Sequence, residues 1–269
     1  MRIDVLTLFP EIYPGPLGTS IVGRAVRNRL LEIRPVDVRA FASDKRGTVD
    51  DSPYGGGPGM LMKPEPLMAA LESPETAPEE GAERRVILLG PRGRVFTQSV
   101  ARELAREKHL VLVCGHYEGI DERVRILSHC EEISIGDYVL TSGNLAAMVV
   151  ADAVARLLPG VLGNGESSED ESFSAGLLEY PQYTRPEEFR GIAVPEVLQS
   201  GDHGAVARWR RREAEKLTLK LRPDLWRKAV FSRLAMVKNW KKTLKKRKMQ
   251  QEALKNGNLE KGQSGIPQE

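Results

Sequence analysis

His109-Leu110-Val111-Leu112-Val113-Cys114-Gly115-His116-Tyr117-Glu118-Gly119-Ile120-Asp121-Glu122-Arg123 is the stretch on which the fold turns. A β-rich run of six residues ends in a polar, glycine-bounded loop. Asp121 and Glu122 suit the positive end of a following helix. Outward from this stretch the same alternation recurs. Ile3 to Phe9, Val36 to Phe41, Arg85 to Leu89 and Glu132 to Ile135 are strand-like runs, and Ser20 to Leu31, Glu65 to Leu71, Thr97 to Lys108 and Asn144 to Leu158 have helical patterns. Strands alternating with helices predict an α/β domain with a mostly parallel sheet. Ser20 and Thr97 mark helix starts, and Ser73 to Gly81 reads as a polar loop.

The chain has 269 residues, enough for one large domain or two modest ones. Hydrophobic residues make up 41% and charged residues 29%, and no run approaches the roughly 18 apolar residues of a membrane span. Met1 to Pro10 enter a strand-like pattern at once, without a basic and then apolar leader, so a cytoplasmic location is expected. Two cysteines, Cys114 and Cys130, and four histidines without ligand spacing predict no disulfide framework and no metal ligands. Charge is unevenly spread. Arg208 to Gln250 holds 17 Lys and Arg against 3 Asp and Glu, a net +14, leaving −11 on the rest of the chain. Such a split suggests a basic region for an anionic polymer joined to an acidic body.

Gly163 to Ser172 is acidic and glycine-rich and reads as a flexible linker that divides the chain into two domains. Beyond it, Arg208 to Asn239 is helical in composition, with Trp209, Leu217, Leu221, Trp226, Val230 and Leu234 available for a small core. The Lys-rich and then Gln, Asn and Gly-rich end reads as disordered.

Three clusters could carry chemistry. Tyr54-Gly55-Gly56-Gly57-Pro58-Gly59-Met60 is a shaped loop whose glycines permit close approach to a ligand, or simply a tight turn. No Gly-Lys-Ser/Thr follows it, so it is not a phosphate-binding P-loop. In the second cluster, Gly115 to Arg123, ligands bind outside the carboxyl ends of strands in open α/β sheets. Glu118 is the functional candidate there, while Asp121 and Glu122 serve as helix caps. The third, Ser134 to Asn144, offers backbone groups between glycines for an adenine edge, or a turn capped by Ser142 or Asn144.

These residues resemble one family. Asp50-Asp51-x-Pro53-Tyr54-Gly55-Gly56-Gly57-Pro58-Gly59-Met60, Cys114-Gly115-x-Tyr117-Glu118-Gly119-Ile120-Asp121-Glu122-Arg123, Ser134-Ile135-Gly136-Asp137-Tyr138-Val139-Leu140 and Tyr180-Pro181-x-Tyr183-Thr184-Arg185-Pro186 are similar, in order, to bacterial tRNA (guanine-N1)-methyltransferases. The resemblance implies a SPOUT-type α/β domain with a parallel sheet and deep trefoil knot over residues 1–160. It implies a linker over 161–175, a small all-helical tRNA-binding domain over 176–245 and a tail over 246–269. Function would be S-adenosylmethionine-dependent methylation of N1 of the guanine just 3′ of the anticodon, with Mg2+ aiding activity. The implied partners are tRNA and a second copy of the chain forming a homodimer with the site across its interface, with no DNA and no membrane. The methyl donor would bind against Leu88, Leu89, Gly90, Pro91, Gly115, Ser134, Ile135, Gly136, Asp137, Tyr138, Val139, Leu140 and Gly143. Asp50, Tyr117, Glu118 and Arg185 would face tRNA. The family's catalytic acid and arginine map to Glu171 and Arg156. This sequence reads Asp170-Glu171-Ser172-Phe173 where Asp-Ser-Phe is usual, which leaves Asp170 and Glu171 as alternatives for the base.

Overall fold

The computed structural model describes residues 1–162, 171–174, 176–234, 238 and 243. The chain divides into two compact units, Met1–Ser168 and Glu169–Glu269. The first runs β1 (Arg2–Thr7), α1 (Pro14–Leu17), α2 (Ser20–Arg27), β2 (Glu32–Asp37), β3 (Asp50–Asp51), β4 (Leu61–Met62), α3 (Pro64–Glu72), β5 (Arg85–Val95), α4 (Gln98–Leu104), β6 (His109–Cys114), α5 (Glu122–Ser128), β7 (Glu131–Ser134) and α6 (Asn144–Ala155).

Five of these strands form one sheet in the order β2-β1-β6-β5-β7, and every pairing is parallel. β6 lies at its centre with all six residues buried. The period-2 alternation of a strand splits the core into two layers. Ile3, Val5, Ile87, Leu89, Leu110 and Leu112 pack with Ala147, Val150, Ala151 and Val154 of α6. Leu6, Leu88, Val111 and Val113 pack with Leu67 and Leu71 of α3 on the opposite face.

Several boundaries differ from the sequence reading. The second strand is Glu32–Asp37, earlier than Val36 to Phe41, because Asp37 accepts from the Arg39 amide and turns Val38–Phe41 into a 3-10 helix. Its Pro35, which cannot donate to a ladder, is tolerated because β2 is an edge strand. Ser20 is not a cap: it opens α2 at φ +50° and makes no capping bond, whereas Thr97 does accept from the Val100 amide. α2 stops at Arg27, ahead of the left-handed Arg29. β5 continues past Leu89 to Val95 through a register shift in which both Leu89 and Arg94 pair with Ile133 of β7.

The second unit contains β8 (Glu188–Phe189), β9 (Ile192–Ala193), α7 (Glu196–Gln199), α8 (His203–Leu221) and a helical segment over 223–234. It is therefore not purely helical. Arg190 and Gly191, both at positive φ, form the two-residue turn that joins β8 to β9 antiparallel. α8 starts five residues before the expected Arg208, where Asp202 caps the Ala205 amide, and Arg222 separates it from the next helical segment, which Pro223 opens. Leu177, Ala214 and Thr218 are buried, and the Thr218 hydroxyl accepts from the Leu178 amide at 2.8 Å. Leu221 and Leu234, read as core, are exposed instead. The tail over 246–269 lies outside the described residues.

Leu112, fully buried at the centre of the sheet, sets a first prediction. Leu112→Ala should destabilise the protein by about 2–5 kcal/mol through lost burial and a residual cavity. Exposed Leu221→Ala should change stability by no more than about 0.5 kcal/mol. Urea unfolding monitored by circular dichroism checks both.

Candidate active site

A cavity of about 210 Å³ opens beyond the carboxyl ends of β6 and β7 and beside the middle of β5. Its floor is apolar, from Leu89 and Ile133 on the strands and Ala146 on α6, and its rim comes from Gly90 and Pro91 of β5 and from loop residues 115–119, 135–136 and 138–143. Strand ends that all point one way leave unpaired backbone groups at this edge, where a ligand can meet them.

The 134–138 loop is held by its own atoms. The Ser134 hydroxyl both donates to the Gly136 carbonyl and accepts from the Gly136 amide, at 3.2 Å each, and Tyr138 N–H donates to the same carbonyl at 3.0 Å. Gly136 sits at φ +148°, and a Cβ there would lie 2.6 Å from the Tyr138 ring. Only glycine fits that conformation and that contact. Across the cavity, Gly143 N–H donates to the Gly115 carbonyl at 2.8 Å, tying the start of α6 to the end of β6.

A second bracing joins the glycine-rich loop to the 115–123 loop. β3 and β4 pair antiparallel through Asp50 and Met62. Met62 N–H donates to Gly119 O, Asp121 N–H to Met62 O, and Glu118 N–H to Met60 O, at 2.9 to 3.0 Å. The Glu118 side chain lies against Gly59, where a Cβ would stand 2.3 Å from its Cγ. Gly59 thus clears the space that Glu118 occupies. Asp121 caps α5 by accepting from the Arg123 amide, and Arg123 holds its carboxyl below the usual carboxylate range. Glu122 is held by Arg125 and Arg92, which lower its pKa likewise.

Of the thirteen residues expected at the methyl donor, Leu89, Gly90, Pro91, Gly115, Ser134, Ile135, Gly136, Tyr138, Val139, Leu140 and Gly143 line the cavity. Leu88 does not: strand alternation turns it into the opposite core layer. Asp137 is exposed and is not part of the lining. Tyr117 and Glu118 line the cavity, whereas Asp50 stands on β3 outside it. Arg156 forms the C-cap of α6. Glu171 and Arg185 belong to the second unit, and Asp170 lies outside the described residues. Of the other lining residues, Ile133 and Ala146 fall outside the clusters read from sequence, whereas His116, Gly119, Thr141 and Ser142 lie within them but were given no donor-binding role. His116 carries a buried Nδ1 without a hydrogen-bond partner among the described residues and packs edge-on against Phe9 and Tyr117. Its place at the carboxyl end of β6, flanked by the named Gly115 and Tyr117, was the available signal.

The sequence profile described as tRNA (Guanine-1)-methyltransferase TrmD matches residues 1–228. The chain belongs to this family. A tRNA (guanine-N(1)-)-methyltransferase of Dehalococcoides mccartyi is 57% identical over 233 residues, 87% of this chain and 93% of that protein. Those of Moorella thermoacetica and Geobacter metallireducens are 58% identical over 226 residues and 56% over 231, covering 84% and 86% of this chain and 90% and 93% of theirs.

Burial makes the thiol beneath the cavity inert. Cys114 is buried, and desolvation pushes its pKa up to about 12, so almost none is thiolate at neutral pH. Iodoacetamide at pH 8 should therefore modify only the half-buried Cys130 in native protein, and both cysteines after unfolding in urea. Peptide mass spectrometry reads the two outcomes.

Proposed function

We propose that this protein methylates N1 of the guanine immediately 3′ of the anticodon in tRNA, with S-adenosylmethionine as the methyl donor. The observation that carries the reading is the glycine-walled cavity at the carboxyl ends of β6 and β7, beside the middle of β5, in a chain of this family. An apolar floor with backbone donors and acceptors at its rim suits an adenosyl group, and Gly136 holds a positive-φ turn against the Tyr138 ring that a side chain would disrupt. When bound, the donor supplies an electrophilic methyl group.

Guanine N1 carries a proton and is a poor nucleophile at neutral pH, so a carboxylate must take that proton as the methyl moves. Glu171 is assigned that role, with Asp170 as the neighbouring alternative, and Arg156 is assigned to the negative charge developing on guanine O6. Glu118, placed by Gly59, accepts from guanine N–H groups, and Tyr117, Asp50 and Arg185 contact tRNA. The Arg- and Lys-rich residues 208–250 hold the RNA backbone. Any requirement for Mg2+ is assigned to the reaction and to no protein ligand.

A homodimer and a trefoil knot are part of the same reading. Leu145 and Val149, one helical turn apart on α6, are 54% and 46% exposed, and Val139 on the cavity rim is 92% exposed. Apolar groups so placed support an interface beside the site. No helix among the described residues is long and apolar enough to cross a membrane. The cytoplasm, where tRNA is found, is the proposed location.

Two experiments test this reading. Gly136→Val should abolish binding of S-adenosylmethionine in calorimetry while circular dichroism stays native. Unchanged affinity would remove the cavity as the donor site. Glu171→Gln should slow single-turnover methyl transfer by roughly 10²- to 10⁴-fold, the range for loss of a general base. Asp170→Asn should slow it far less, and the reverse order would move the base to Asp170.

A further inference from the structure

Behind the cavity wall, four buried polar side chains from separate elements meet. The Asn144 carboxamide oxygen accepts from the Thr7 hydroxyl at 2.8 Å and from the Tyr13 hydroxyl at 2.8 Å. The Tyr13 hydroxyl also meets the Cys114 sulfur at 3.3 Å, and Thr7 Oγ1 accepts from the Phe9 amide at 3.0 Å. Thr7 is 0%, Tyr13 1%, Cys114 2% and Asn144 5% exposed. Asn144 is the first residue of α6, yet it does not cap the helix. Its side chain points into the core, and its amide instead donates to Ser142 Oγ at 3.3 Å. Gly143 and Ser142, directly before it, are cavity rim.

We propose that Asn144 is a positioning residue for methyl transfer: anchored by Thr7 and Tyr13, it fixes the rim at residues 140–143 against β6 and so shapes the methyl-donor site. The inference rests on the cavity being that site. Burial pushes the Tyr13 hydroxyl and the Cys114 thiol up, so both stay protonated and the cluster is neutral at physiological pH. A neutral amide oxygen suits two hydroxyl donors there, whereas a carboxylate would be desolvated.

Thr7→Val and Tyr13→Phe each remove one donor and keep the shape. Each should raise the dissociation constant for S-adenosylmethionine by roughly fivefold, the weight of one net buried hydrogen bond. Affinity for tRNA should be unchanged, and Thr7→Ser should restore donor binding. Wild-type protein that fails to bind S-adenosylmethionine would sink the site assignment itself. Wild-type binding with unchanged affinity in both variants, or equal loss of tRNA affinity, would overturn the positioning role alone.

Discussion

The parallel ladder that buries β6 between β1 and β5 is the constraint on which the rest of the structure depends. Leu110 and Leu112 fit one buried layer and Val111 and Val113 the other, so a one-residue slip would exchange them and spoil the packing on both faces, and the end of β6 is fixed at Cys114. From that point the chain turns through Gly115 into the cavity loops. β7 and the middle of β5 are held level with it, because Leu89 pairs with both Cys114 and Ile133. The site is thus a consequence of where β6 and β7 stop beside the shifted register of β5.

Backbone contacts carry the order outward from those strand ends. Gly143 is tied to Gly115, Met62 to Gly119 and Asp121 to Met62, so three loops far apart in sequence brace each other through main-chain bonds. Side chains then need to add little more than chemistry at the rim. Charge is partitioned in a complementary way. The first unit carries a net negative charge and pairs several of its charged groups internally, as where Arg85 bridges Glu103 and Glu131. The second unit spreads arginines along α8, among them Arg210 over the Tyr180 ring. A basic, aromatic-bearing helix suits a polyanionic partner.

Much of this was legible in the sequence. The strand at His109 to Cys114 matched residue for residue, since an unbroken β-rich run has no competing period. Thr97 and Asp121 were legible as caps because their short oxygen-bearing side chains serve the free amides of a first turn. Most of the cavity lining was legible through motifs: Leu88 and Asp137 were expected there and are not, and Ile133 and Ala146 line it without having been expected. The misses have physical causes. Val38 to Phe41 looks strand-like by composition, yet the local Asp37 to Arg39 bond wins. The extension of β5 through Gly90-Pro91-Arg92-Gly93 was hidden because glycine and proline signal a turn in sequence, whereas here they allow a register shift. Asn144 read as a possible cap because nothing local reveals Thr7 and Tyr13, more than 130 residues away, as its partners.

The most direct measurement of the central claim is methyl transfer from labelled S-adenosylmethionine to tRNA transcripts that differ only in the base 3′ of the anticodon, with the product mapped by nuclease digestion and mass spectrometry. The account predicts 1-methylguanosine at that single position when it is guanine and no transfer when it is adenine. Equal methylation of both transcripts, or methyl groups found at another base or on a ribose hydroxyl, would contradict it.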